Sequence, residues 1–168
     1  MSVMDLKNKL ILDACCGARM FWTDKQNPLA VFMDIRDEEH ELCDGRKILI
    51  HPDVVADYTN MPFPDRSFKL VVFDPPHLRW GGKKSWIVKR YGELPKDWQS
   101  NLRKGVDECF RVLDDYGMLV FKWSEAQIST NRVLEAIGRQ PLFGHTTGRC
   151  GKTLWMCFLK LPDGKEAR

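Results

Sequence analysis

The 168 residues are 43% hydrophobic and 29% charged, a balance that fits one globular domain, 1–168, with a single core and excludes extended disorder. Lys and Arg outnumber Asp and Glu by 26 to 23, so the formal charge of +3 does not by itself demand a polyanionic partner and its distribution matters more than its total. The longest apolar runs, Leu70-Val71-Val72-Phe73 and Met118-Leu119-Val120-Phe121, fall far short of the roughly 20 residues that cross a bilayer.

The start, Met1-Ser2-Val3-Met4-Asp5-Leu6-Lys7, lacks the basic and apolar stretches of a signal peptide. With six cysteines that include the adjacent pair Cys15-Cys16, this predicts a protein of the reducing cytoplasm with free thiols. Leu10-Ile11-Leu12-Asp13-Ala14 is an unbroken apolar run ending on a carboxylate, the pattern of a strand covered on both faces. Residues 18–28 leave room for only a short helix before Leu29-Ala30-Val31-Phe32-Met33-Asp34 repeats the pattern. Glu38, Glu39 and Glu41 are expected on a solvated helix face. Further buried strands are predicted at Val54-Val55-Ala56-Asp57, at Leu70-Val71-Val72-Phe73-Asp74 and at Met118-Leu119-Val120-Phe121.

Residues 60–67 and 78–96 read as loops, rich in Pro or Gly. Between them and the last of those strands, Leu102, Val106, Cys109, Phe110 and Leu113 form one apolar helical stripe, with Pro95 and Asp97 as start and Gly117 as stop. A second helix is predicted after Ser129-Thr130, with Val133, Leu134 and Ile137 inward and Gly138 at its end. Residues 141–160 then read as two antiparallel strands joined by a turn. Strands alternating with helices and closing on a hairpin predict an α/β fold, an open sheet with an antiparallel edge.

In such a sheet, ligands sit beyond the carboxyl ends of the strands. That puts Asp13, Asp34, Asp57 and Asp74 along one rim. A strand-terminal Asp taken alone is usually a turn former or a cap. Four together crowd carboxylates whose repulsion a ligand with a cationic centre and hydroxyl groups would relieve, and S-adenosylmethionine has both.

The order of motifs resembles that of the class I S-adenosylmethionine-dependent methyltransferases. Leu12-Asp13-Ala14-Cys15-Cys16-Gly17 resembles their cofactor loop, and Asp34 stands where their ribose-binding acid ends the second strand. Ala56-Asp57-Tyr58 followed by Met61-Pro62-Phe63-Pro64-Asp65-Arg66-Ser67-Phe68 resembles their third acid and the approach to strand four. Phe73-Asp74-Pro75-Pro76-His77 is similar to the D-P-P-Y signature of the amino-methylating DNA and RNA enzymes. The resemblance implies a Rossmann-like fold, an open, mostly parallel, seven-stranded sheet with an antiparallel C-terminal hairpin strand. It implies S-adenosylmethionine bound by Asp13, Ala14, Cys15, Gly17, Asp34, Ile35, Asp57, Tyr58 and Asp74, and catalysis by Asp74, Pro75, Pro76 and His77. A compact enzyme of this kind would suit a phage. Two departures stand out: Gly17-Ala18-Arg19 lacks the second glycine of the cofactor loop, and His77 replaces an aromatic that stacks on the target base.

The chemistry explains the residue types. An exocyclic amine is a poor nucleophile because its lone pair is delocalised into the ring. If the Asp74 carboxylate and the Pro75 carbonyl each accept one N–H, the nitrogen moves toward tetrahedral geometry with its lone pair directed at the methyl donor. Trp80, Lys83, Lys84, Trp86, Lys89 and Arg90, in the acid-free first half of the 78–96 segment, combine charges for phosphates with faces for bases. Lys122 and Trp123 are expected on the pocket wall. The expected reaction is methylation of an exocyclic amine, adenine N6 in DNA first, with an RNA base, a protein amide or a small molecule as alternatives. A rival of another class is a non-catalytic nucleic-acid-binding module that keeps the fold. Neither the four histidines nor the cysteines have metal-site spacing, so no metal is expected. Without a separate recognition domain, little sequence specificity or a partner subunit is expected.

Overall fold

The computed structural model describes residues 6–42, 44–82, 85–146 and 152–162. Strands β1 (Ile11–Asp13), β2 (Ala30–Asp34), β5 (Val54–Val55), β6 (Phe68–Phe73), β7 (Leu113–Ser124), β8 (Phe143–Thr146) and β9 (Thr153–Leu159) form a seven-stranded sheet in the order β5-β2-β1-β6-β7-β9-β8. The first five are parallel, while β9 runs antiparallel to both β7 and β8. This is the expected architecture. Order reverses between β1 and β6, the switch point at which the carboxyl ends of parallel strands open a crevice.

The unbroken apolar runs are explained by cover on both faces. Val31 and Met33 join the core beneath α2 (Trp98–Val112) and α3 (Thr130–Ile137), whereas Ala30 and Phe32 pack on the opposite face with Cys16 and Trp22. Helix α2 buries Trp98, Leu102, Val106, Cys109 and Val112, and α3 buries Val133 and Ile137. Gly138 ends α3 in the left-handed conformation, as predicted. At its start Ser129 occupies the N-cap position without a side-chain bond, and Glu125 accepts the Thr130 N–H at 2.8 Å instead.

Several expectations are corrected. Residues 18–28 form turns, not a helix: Asp24 and Asn27 accept the N–H groups of Gln26 and Leu29 at 3.0 Å, local bonds that compete with helical ones. Glu38, Glu39 and Glu41 lie on β3 (Glu38–Glu41), paired antiparallel with β4 (Lys47–Ile50), because Ile48 and Ile50 are buried and require a strand geometry. The 78–96 segment contains a short helix, α1 (Trp86–Tyr91). Helix α2 stops at Val112, not at Gly117, because Leu113 is already extended and begins β7. Lys160 N–H donating to the Gly117 carbonyl at 2.9 Å prolongs that strand's pairing. Cys43, Cys150 and the turn between β8 and β9 lie outside the described residues. Among the described residues no helix is long and apolar enough to cross a membrane.

Candidate active site

Backbone bonds stitch the loop after β1 to both neighbouring strands: Ala14 N–H donates to Val72 at 2.9 Å and Cys16 N–H to Met33 at 2.8 Å. Gly17, at φ +47°, turns its N–H onto Asp34 Oδ2 at 2.9 Å. Arg19 adopts φ +54°, a left-handed conformation that a non-glycine residue holds only under constraint. The constraint is its side chain, which donates to the Lys25 and His51 carbonyls at 2.6 and 2.9 Å, pairs with Asp53 at 3.2 Å and lies 3.8 Å over the Phe32 ring. The arginine in place of a second glycine thus leaves a left-handed backbone in the loop.

Five elements meet over this loop in a cleft of about 180 Å³. Ala14, Cys15, Gly17 and Phe21 form its floor, Asp34, Ile35 and Arg36 come from the end of β2, and Tyr58 follows β5. Asp74-Pro75-Pro76-His77 follows β6, with Arg90 and Tyr91 from α1 above and Lys122 from β7 beside it. Asp34 is buried and accepts from the Arg36 N–H at 3.0 Å, from Arg36 Nε at 3.1 Å and from Gly17. Arg36 Nη1 also donates to the Lys89 carbonyl at 3.1 Å, tying α1 to the end of β2. Tyr58 packs edge-on against Phe73 with centroids 5.2 Å apart and hydrogen-bonds Asn101 through its hydroxyl; burial raises its pKa.

Two of the four rim acids do not line the cleft. Asp13 is buried behind it, accepting from Trp22 Nε1 at 2.7 Å; burial pushes its carboxyl up to about 7 against the opposing pull of that bond. Asp57 is exposed and accepts the Thr59 N–H and hydroxyl at 2.8 Å. Burial also raises the Cys15 and Cys16 thiols, which favours the uncharged forms.

The pairing of Phe73 with Phe121 sets Asp74 and Lys122 side by side. Lys122 Nζ lies 2.5 Å from Asp74 Oδ2, with the side chains only 21% and 16% exposed. Burial raises the Asp74 carboxyl, and the Lys122 charge and hydrogen bond oppose that rise. Burial lowers the His77 pKa and favours the neutral ring. That ring meets Tyr91 at 5.5 Å, tilted by 48°, and Trp123 edge-on at 6.4 Å. A second cavity of about 210 Å³ adjoins the first, bounded by Asp74, His77, Tyr91, Lys122, Ser124 and Thr153.

Of the basic and aromatic residues singled out for substrate, Arg90 and Lys122 line the cleft. Trp80 and Trp86 stand outside it, 72% and 51% exposed, and Lys89 faces a groove beside the β3–β4 hairpin. Lys83 and Lys84 lie outside the described residues. Gln127 clasps the start of this segment, accepting from the Arg79 and Trp80 N–H groups at 2.7 and 3.3 Å and donating to the Trp80 carbonyl at 3.0 Å. Arg36, Phe21 and Gln127 had no motif to mark them. Among the described residues no cluster of three or more His, Cys, Asp or Glu could hold a metal.

No protein-family model matches the chain, and no curated protein matches it in sequence. Solved structures do match its fold. The PH0226 protein of Pyrococcus horikoshii OT3 is 13% identical with a TM-score of 0.57, over 89% of this chain and 81% of that one. The N-methyltransferase NodS of Bradyrhizobium japonicum WM9 is 15% identical with a TM-score of 0.56, over 91% and 86%. A SAM-dependent methyltransferase of Methanosarcina mazei is 11% identical with a TM-score of 0.52, over 90% and 92%. At these identities the likeness is one of fold, and the fold of this chain is the Rossmann-like fold of the S-adenosylmethionine-dependent methyltransferases.

Proposed function

We propose that the chain is a cytoplasmic S-adenosylmethionine-dependent N-methyltransferase whose acceptor is the exocyclic amine of a nucleic-acid base, adenine N6 in DNA first. The observation that carries this reading is one cleft uniting the loop after β1 with Asp74-Pro75-Pro76-His77 after β6. The donor set fits the cofactor. Asp34 offers a buried carboxylate to ribose hydroxyls at a strand end, Ile35 and Tyr58 offer apolar walls for an adenine, and Gly17 leaves space that a side chain would narrow. When bound there, S-adenosylmethionine supplies an electrophilic methyl on a cationic sulfur.

The remaining chemistry belongs to the chain. Asp74 accepts an N–H of the acceptor amine and holds the nitrogen in register, with the Pro75 carbonyl as the second acceptor. The amine becomes cationic on methylation, and the neighbouring carboxylate stabilises it until it loses a proton. His77 and Tyr91 offer ring faces to a planar base. DNA is favoured by the likeness of Asp74-Pro75-Pro76-His77 to the amino-methylating DNA enzymes, and Arg90 and Lys89 on α1 supply positive charge for phosphates.

A second reading, a small free amine as acceptor, is favoured by the position of Trp80, Trp86 and Lys89 outside the cleft. Incubation with isotopically labelled S-adenosylmethionine and, separately, duplex DNA, single-stranded DNA and RNA, followed by nucleoside mass spectrometry, tests both. The leading reading predicts labelled N6-methyldeoxyadenosine, abolished by Asp74→Ala. Charge reversal at Lys89 and Arg90 should weaken nucleic-acid binding and flatten its salt dependence. Cofactor binding without label in any pool would shift the acceptor to a small molecule or protein, and no cofactor binding would refute the enzyme.

A further inference from the structure

Asp74 is held by a cation of its own chain at the point where the acceptor amine must arrive. Lys122 Nζ occupies one carboxylate oxygen, Oδ2. Among the described residues, Oδ1 accepts no hydrogen bond. The two groups therefore present, in contact and both facing the 210 Å³ cavity, one strong acceptor and one strong donor. Lys122 is itself confined, with Phe21 and Trp155 ring centroids 5.6 and 5.7 Å from its ammonium. It is not a solvated lysine that happens to reach inward.

We propose that Lys122 is a specificity-determining residue, donating a hydrogen bond to the ring nitrogen next to the amine that Asp74 holds. The assignment rests on the reading of the acceptor as an exocyclic amine and narrows it. An amine attached to an N–C=N edge carries a donor and, one carbon away, a lone pair on the neighbouring nitrogen; adenine N6 with N1 and cytosine N4 with N3 are such edges. Asp74 takes the donor and Lys122 meets the lone pair. The same pair of groups rejects other partners. An aliphatic amine brings no adjacent acceptor, so the ammonium would gain nothing in exchange for its hold on Asp74. The guanine amine brings an N1–H donor on its Watson–Crick side, which would face the ammonium donor there, so guanine could satisfy the pair only through its N3 flank. His77 and Tyr91, with rings 5.5 Å apart at the cavity wall, further favour a planar ring over a flexible chain.

Lys122 also bears on Asp74 directly, so loss of the lysine alone would not prove that it reads the acceptor. The decisive experiment crosses enzyme variants with an altered base. Oligonucleotides carrying adenine or 1-deazaadenine, in which N1 becomes C–H while the amine stays, are given to the parent enzyme, to Lys122→Met and to Lys122→Gln; 3-deazacytosine serves if cytosine is the methylated base. A hydrogen bond from a charged donor predicts that the parent loses about ten- to hundredfold in kcat/KM on the deaza base. Lys122→Met should be slower than the parent on adenine yet treat both bases within about twofold of each other, because the partner of the missing nitrogen is already gone. The Met variant also removes the intrinsic reactivity difference between the two bases from the comparison. Affinity for the same oligonucleotides with S-adenosylhomocysteine present should show the same pattern, a readout that a role confined to Asp74 would not move.

A parent enzyme that methylates adenine and 1-deazaadenine equally, or a Lys122→Met variant that keeps the parent's discrimination, overturns the assignment while leaving the methyltransferase reading in place. Methyl transfer to no base, with no difference in affinity between the two oligonucleotides, overturns the acceptor reading and this one together.

Discussion

Gly105 lies in the middle of α2, where glycine costs a helix about 1 kcal/mol relative to alanine. By propensity alone Gly105→Ala should stabilise the protein. The packing reverses the sign. A Cβ at this position would fall 2.6 and 2.9 Å from Tyr58 Cδ2 and Cε2 and 3.0 Å from Phe73 Cζ. The Tyr58 ring cannot yield cheaply, because it is wedged edge-on against Phe73 and its hydroxyl is bonded to Asn101. Overpacking of this kind costs about 1–3 kcal/mol, and a lost hydrogen bond adds about 1. After the propensity gain, Gly105→Ala should be net destabilised by about 1–3 kcal/mol, a fall in Tm of about 2–4 °C for each kcal/mol. Urea denaturation of four proteins measures it: the parent, Gly105→Ala, Tyr58→Ala and the double variant. In the Tyr58→Ala background the two nearest atoms are gone and Phe73 Cζ at 3.0 Å remains, so Gly105→Ala should become neutral or stabilising. A Gly105→Ala protein more stable than its parent with Tyr58 intact would refute the reasoning. Because Tyr58 lines the cleft, the single variant should also bind S-adenosylhomocysteine more weakly.

Asp13, with a folded pKa of about 7 against an unfolded value of about 3.9, is bound to its proton more tightly in the folded chain. Its contribution is complete below about pH 4 and is lost as pH rises through 7, at most about 4 kcal/mol. Asp13→Asn, which can still accept from Trp22, should therefore flatten the decline in urea midpoint between pH 5 and 8.5, and parallel curves for the two proteins would contradict this. Arg36 occupies the carboxylate expected to receive the ribose hydroxyls, so Arg36→Ala should tighten S-adenosylhomocysteine binding by about fivefold in calorimetry; weaker binding would make Arg36 a cofactor ligand instead of a competitor. His51 is bonded to Asp37 and Glu39 at 2.8 and 3.1 Å, which raise its pKa. Its stabilisation of the nearby hairpin is present below about pH 6.5 and lost as pH rises through the raised value, and an NMR titration of the Asp37→Asn variant should show that value falling.

The parallel strands were legible because a strand buried on both faces can carry only apolar side chains, and Leu12, Val31, Phe32, Met33 and Val71 do so without a break. The β3–β4 hairpin was not, because its outer partner is built from Glu38, Glu39, His40 and Glu41 and only the pairing with Ile48 and Ile50 makes it a strand. The rim of acids shows a finer limit. The strand-end position of each Asp can be read from the runs, but the direction of its side chain depends on local turns. Asp34 and Asp74 face the cleft, Asp13 turns back to Trp22, and Asp57 closes a turn with Thr59. The partners of the cleft acids were hidden for a related reason. Arg36 follows Asp34 by two residues with no pattern to mark it, and Lys122 meets Asp74 only through the register of β6 against β7.

Those partners bear on how the cleft can work. Two carboxylates facing one desolvated cleft repel each other; burial raises the Asp74 carboxyl, and a protonated Asp74 would offer a donor where an amine needs an acceptor. A cation beside each acid, Arg36 on Asp34 and Lys122 on Asp74, offsets their repulsion and keeps the cleft close to neutral, and at Asp74 it opposes the rise that burial causes. The two pairs differ in what they can release. Arg36 has the Lys89 carbonyl and Glu38, at 3.1 and 3.7 Å, to fall back on when Asp34 is claimed. The Lys122 ammonium, flanked by the Phe21 and Trp155 rings, makes no hydrogen bond among the described residues except that to Asp74. An incoming acceptor must therefore leave that pair intact or supply the ammonium with a lone pair of its own, and a base edge with an amine beside a ring nitrogen does the latter without leaving either charge buried alone.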